Sequence, residues 1–345
     1  MNTYYGRANI TIGSFKGKFG SYTDNGQDWH YVNDLKAQFP HTVTGRDDVP
    51  SALEVYTKAL QQAANKSVTI ASIGETTNLQ DLLRSDLELV RAKVKRVVYM
   101  DGDFNFGCAR GTYGPDDECW KSAQYVVATM PSPDVEQIFQ LHGDNHNGWW
   151  VGNTPKCAYD AANPVKVAYS LMCKNAWAGA CDNYGRDSWD PNTVYAAIMG
   201  AQSGGQCAIG SGAPCAYSVS DDGSQEYRDC DDHSKNMWEF SLIGDISSVG
   251  NTIETLLCQP PKARRGADAA TSPAPTEYAA AMLGRDVAPT VSSRKGSKVP
   301  PPEAAVQAAL ERVAARMSLK YNMSIAAAYY SPTLNASASL SLIHI

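Results

Sequence analysis

Residues 184–200 read YGRDSWDPNTVYAAIMG, and the junction Trp189-Asp190-Pro191 sets a carboxylate beside an indole where a helix-forming run begins. Two chemistries are open to Asp190. An aspartate before proline accepts hydrogen bonds from the first free N–H groups of a helix, and Pro191 suits the first helical position because it has no N–H to lose. A carboxylate at the mouth of an α/β sheet also suits a metal ion or a substrate. Three other segments carry oxygen-rich or aromatic groups of the same kind: GETTN (74–78), MDGDFNFG (100–107) and HGDNHNGWW (142–150).

Other residues invite a chemical reading and have a plainer one beside it. His142 and His146 have an H-x-x-x-H spacing that ligates zinc when it lies on a helix. Here Gly143, Asp144 and Asn145 place them in a loop, so pocket lining is the better reading. Asp47 and Asp48 are expected to cap a helix beginning near Pro50. Trp149 and Trp150 suit packing as well as stacking on a base. His233 suits ligand orientation and backbone bonding equally. The glycines of GRANITIGSFKGKFG do not make the G-x-G-x-x-G element of dinucleotide binding.

The elements that must position these groups follow from hydrophobic period. Val68 to Ile73 is a β-branched run of the buried parallel-strand type, broken at Gly74. From Asn78 the leucines at 79, 82, 83, 87 and 89 recur at helical spacing before KRVVYM returns to strand. A second unit follows, with WKSAQYVVATM as helix and DVEQIFQLHG as strand. Further helices are expected at NPVKVAYSLMCKNAW, DPNTVYAAIMG and SSVGNTIETLLC. Alternating strands and helices predict an α/β fold with an open, mostly parallel, doubly wound sheet. In such sheets ligands gather beyond the carboxyl ends of the strands, where GETTN, MDGDFNFG, HGDNHNGWW and the Asp190 junction all fall.

The chain has 345 residues, 43% hydrophobic and 19% charged, enough apolar material for a substantial core. A net charge of −6 with no long Lys/Arg run argues against a nucleic-acid or membrane partner and for a small molecule, with a homo-oligomer left open. The nine cysteines include no C-x-x-C pair, so disulfides or buried thiols are expected rather than a zinc site. Cys108 and Cys119 bracket a Gly/Pro/Asp loop that a bridge would pin. With Asn9-Ile10-Thr11 and Asn65-Lys66-Ser67 fitting the N-glycosylation pattern, the cysteines suggest a secreted protein whose signal segment has been lost upstream of Met1, the alternative being a cytoplasmic one. After Lys262 the composition turns Ala/Pro/Ser-rich, so residues 263–345 are expected to be a mostly disordered tail behind a domain of residues 1–262. The last six residues, LSLIHI, read as the translation of a transposase-adapter end sequence.

Taken in order, TYYGRANITIG, SIGETTNLQDLL, KRVVYMDG, GRDSWDP with its helix, and DHS leading to LLCQPPK resemble the inosine/uridine-preferring nucleoside hydrolases. The resemblance spans residues 1 to about 262 in family order. It implies calcium-assisted hydrolysis of the N-glycosidic bond of ribonucleosides. Asp190 then matches a calcium-ligating carboxylate, and the main-chain carbonyl of Thr77 a second calcium ligand. Met100 matches a residue beside the sugar. Asp103 and Asn105 match an acidic-Phe-Asn pair on the ribose hydroxyls, with Glu118 the alternative to Asp103. TYYGRANITIG matches a helix end and the strand after it.

The departures from the pattern are as informative as the matches. Trp189 stands where many members have histidine; an indole can stack on a base but has no acidic proton to give. The family's opening strand, with its D-x-D-x-x-x-D-D cluster and general base, is expected upstream of Met1, so the sheet is expected to lack its first strand. The chain is therefore expected to hold no complete calcium cage and to be inactive or nearly so. The alternative is a ligand-binding protein that keeps the scaffold without its chemistry.

Overall fold

In the computed structural model, residues 2, 4, 5, 7, 9–17, 31–39, 41–100, 119–140, 150–151, 163–176, 186–187, 189–199, 207–209, 216–221, 223, 225–228, 236–242, 246–258 and 342–344 are described. The chain enters through α1 (Tyr31–Gln38) and α2 (Ala52–Gln62). Ser51 starts α2: its hydroxyl accepts from Glu54 N–H at 3.2 Å, and the Glu54 carboxylate accepts from Ser51 N–H at 2.8 Å. This reciprocal box satisfies two orphan donors of the helix start. Asp47 and Asp48 do not cap α2, contrary to expectation, because they lie in a separate 3-10 turn, Arg46–Asp48. Asp48 instead accepts from Thr44 Oγ1 at 2.7 Å and from Thr44 and Gly45 N–H at 2.6 and 3.0 Å.

Residues 9–13, expected as a strand, lie in no ladder; the segment makes only a parallel bridge from Ser14 to Ser51. Gly13 is needed there for close approach. A Cβ on it would sit 2.8 Å from Val55 Cγ2 and 2.9 Å from Ala52 Cα.

The expected β-α-β unit is present as β1 (Val68–Ser72), α3 (Thr77–Ser85), α4 (Leu87–Lys93) and β2 (Val94–Tyr99). One helix was expected where two stand. The break is Asp86, whose side chain accepts from Leu89 N–H at 2.8 Å and so starts α4 afresh. Then come α5 (Cys119–Thr129), β3 (Glu136–Gln140), β4 (Trp150–Val151), α6 (Pro164–Ala176), β5 (Arg186–Asp187) and α7 (Trp189–Met199). The remaining elements are β6 (Cys207–Ile209), β7 (Ala216–Val219), β8 (Gln225–Arg228), β9 (Met237–Leu242), α8 (Ile246–Leu257) and β10 (Leu342–His344).

Among the described residues the main sheet has the order β10-β1-β2-β3-β9-β6. Strands β1, β2, β3 and β9 run parallel, and β10 and β6 close the two edges antiparallel. Of residues 263–345, only Leu342–His344 are described, and they pair with β1, Ile343 opposite Ile70. The pleat divides the core in two. Ile70, Val97, Tyr99 and Phe139 join Leu79, Leu82 and Leu83 of α3 and Trp120 and Val126 of α5 in one cluster. Ala71, Val98 and Ile138 point the other way and meet Ala196 and Ala197 of α7. Helices therefore cover both faces, and strands buried on both sides read as the near-continuous apolar runs seen in the sequence. Each large side chain buried this way contributes roughly 1.5–3 kcal/mol. Cys258, just after α8, is disulfide-bonded, and among the described residues no helix is long and apolar enough to cross a membrane.

Candidate functional site

The carboxyl edge of the parallel strands is where the candidate residues gather. Met100 follows β2 directly, and its N–H donates to Ser72 O at the end of β1 at 2.9 Å, fixing the two strand exits against each other. Beyond β1 the chain turns through Gly74, Glu75 and Thr76 into α3. The Thr76 hydroxyl, free to cap α3 by position, is instead hydrogen-bonded to Ser122 Oγ of α5 at 2.7 Å, with Thr76 fully buried. Thr77 opens α3, so its carbonyl enters the helical ladder and keeps one lone pair for another partner. Its Oγ1 is buried with no hydrogen-bond partner among the described residues.

On the opposite face α7 begins at this same edge. Thr193, fully buried, donates its hydroxyl to the Oε1 of Gln140, the last residue of β3. That bond anchors the first turn of α7 to the end of the central strand. Asp190 is half-buried and lies inside this first turn, since α7 starts at Trp189. The expected assignment of Asp190 as the residue before the helix, with Pro191 first, is thus shifted by two positions, with Asp190 second and Pro191 third in α7. Its charge complements the partial positive charge of the helix start wherever in that turn it sits.

Thr77 opens α3 after β1, Met100 follows β2, and Asp190 lies in the first turn of α7, whose Thr193 is bonded to the end of β3. Trp189 opens the same helix. Asp103, Asn105, Glu118, Cys108, His142, His146, Trp149 and His233 lie outside the described residues. Four residues at this edge were passed over in the sequence: Glu75 (3% exposed), Asn192 (1%), Thr193 and Gln140. Glu75 carried a signal, a carboxylate right after a buried strand. Asn192 carried one too, as the residue that follows Asp-Pro.

Calcium takes roughly six to eight hard oxygen ligands. The described residues offer the Asp190 carboxylate and the Thr77 carbonyl, and no group of three or more His, Cys, Asp or Glu among them is placed to hold a metal. The donors fit calcium in kind and fall short of it in number. Away from this edge, Asp81, one turn into α3, has its carboxyl raised above the ordinary range by burial, with Arg84 opposing.

No family model matches the chain, and no curated protein matches it in sequence. Among solved structures it is similar to a purine-preferring ribonucleoside hydrolase from Gardnerella vaginalis, at 13% identity and a TM-score of 0.44 over 65% of this chain and 70% of that one.

Proposed function

We propose that this chain is a ribonucleoside-binding domain of nucleoside-hydrolase type, with inosine and uridine as the ligands to try first. One observation supports the reading: GETTN and Met100, which bear the sequence resemblance, follow β1 and β2, and the Trp189-Asp190-Pro191 turn opens α7, whose Thr193 is tied to the carboxyl end of β3. In this reading Met100 lies along the sugar, Asp103 and Asn105 hold its hydroxyls, and Trp189 stacks on the base. Hydrolysis of an N-glycosidic bond passes through an oxocarbenium-like state, and the Asp190 carboxylate is suited to stabilise positive charge as it develops on the sugar.

Binding without rapid turnover is the form of this reading to test first. Among the described residues no group of three or more His, Cys, Asp or Glu is placed to hold a metal. The test is isothermal calorimetry with inosine and uridine, alongside a reducing-sugar assay for ribose release with millimolar calcium present. Saturable nucleoside binding, weakened about tenfold or more in Asp190→Ala, with ribose release near background, is the expected result. Tight calcium binding with fast ribose release would replace it with a complete enzyme. Absence of nucleoside binding would remove the reading altogether.

A further inference from the structure

Asn192 sits in the first turn of α7 with 1% of its surface exposed, and neither its Oδ1 nor its Nδ2 has a hydrogen-bond partner among the described residues. A buried amide left unpaired costs roughly 1–3 kcal/mol for each group, so a folded chain retains one only where something else repays it. The helix tells where the amide is aimed. Asn192 precedes Ala196 by one turn on the stripe that faces the sheet, and Ala196 packs with Ala71, Val98 and Ile138. Thr193, its neighbour, is tied to Gln140 at the carboxyl end of β3. One turn before Ala196, next to the Thr193 bond to the last residue of β3, the amide lies towards the carboxyl end of the sheet.

A carboxamide presents an acceptor and a donor side by side. Its natural complement is a pair of adjacent hydroxyls, one donating to Oδ1 and the other accepting from Nδ2. A helix start next to it adds further favour for oxygen-rich groups. We propose that Asn192 is a ligand-binding residue that takes the vicinal diol of a pentose, an assignment that rests on the ribonucleoside reading of this edge and adds to it which atoms of the ligand the α7 start reads.

The proposal separates from a structural role by the sign of two effects. Removing an unpaired buried amide in favour of an apolar side chain of similar size stabilises a free protein. Asn192→Leu is therefore expected to raise the melting temperature of the ligand-free chain while weakening nucleoside binding. The cycle to run is calorimetry of wild type and variant with inosine, 2′,3′-dideoxyinosine and hypoxanthine. In wild type, inosine should bind about tenfold or more tighter than its dideoxy analogue, and in Asn192→Leu that ratio should fall severalfold, leaving the share that belongs to Asp103 and Asn105. Asn192→Ala supplies the same ratio with no added volume if leucine disturbs folding. An unchanged ratio overturns the role of Asn192 and leaves the nucleoside reading standing. A variant that loses hypoxanthine binding instead assigns the amide to the base and overturns the diol. A fall in free-chain melting temperature overturns the unpaired amide itself, and wild type that ignores inosine overturns both readings together.

Discussion

Thr193 is the residue through which packing and site meet, because its one hydroxyl ties the start of α7 to Gln140 and both side chains are buried. Thr193→Val keeps the shape and strands the Gln140 carbonyl. The expected loss is about 1–3 kcal/mol of stability, read as a shift in denaturation midpoint at unchanged slope. Because the same turn carries Asp190 and Asn192, nucleoside affinity should fall with it, and Thr193→Ser, which restores the hydroxyl, should recover both. Recovery of stability without affinity would mean the turn does not position the ligand. This pair also marks the limit of what the sequence discloses at this scale. Asp190 draws attention in the sequence as a carboxylate before proline at a helix start, whereas Thr77 is reached only through the family resemblance. The partner of Thr193 lies 53 residues away and that of Thr76 lies 46 away, and no local pattern encodes such a pairing. Asn192 escaped notice because a polar residue early in a helix has an ordinary capping or solvent-facing explanation until its burial is known.

At the scale of elements, α7 lies close to the sheet because small residues face it. Ala196 and Ala197 meet Ala71, with Val98 and Ile138 around them. Ala196→Leu adds three carbons to a packed contact, and overpacking of this kind costs about 1–3 kcal/mol through shifted backbone and strained rotamers. The helix can relieve the strain only by lifting from β1 and β2, which carries Asp190, Asn192 and Thr193 outward together. Nucleoside binding should weaken by more than the single loss of any one contact, and Ala196→Gly, which removes volume, should leave the ligand affinity closer to wild type. Equal affinity in Ala196→Leu and wild type would show that the helix start is held by the Gln140 bond alone. The strands β1, β2 and β3 and the helices α3, α5, α6, α7 and α8 were legible as periodic runs. The split at Asp86 was not, since the leucines keep their spacing across it while the carboxylate restarts the helix. The two- to four-residue strands β4 to β8 and the edge strand β10 are too short for a period to develop.

Across the whole molecule the sheet separates a larger core from a smaller one, and the larger is threaded by a stack of rings from three strands. Tyr99 of β2 lies 5.0 Å from Phe139 of β3, which lies 4.6 Å from Tyr217 of β7, centroid to centroid. Tyr99 is fully buried, and its hydroxyl donates to Gln137 Oε1 at 3.1 Å. Burial pushes its phenol far above the ordinary tyrosine range. The folded state thus holds Tyr99 neutral where the unfolded chain, with a tyrosine pKa of about 10, releases the proton. A group raised in this way contributes its full stability below the unfolded value and loses it as pH rises beyond, here by about 1.4 kcal/mol per pH unit. Tyr99→Phe removes the titration and the hydrogen bond together. At pH 7 the variant should be less stable by about 1–3 kcal/mol, because the Gln137 oxygen loses its donor. Above pH 10 wild type should fall towards the variant, by about 1.4 kcal/mol at pH 11, while the other tyrosines, common to both proteins, cancel in the difference. Urea denaturation of the two proteins from pH 7 to 11 measures that gap, and a gap that stays constant across the range would mean the ring core admits solvent to Tyr99 without unfolding.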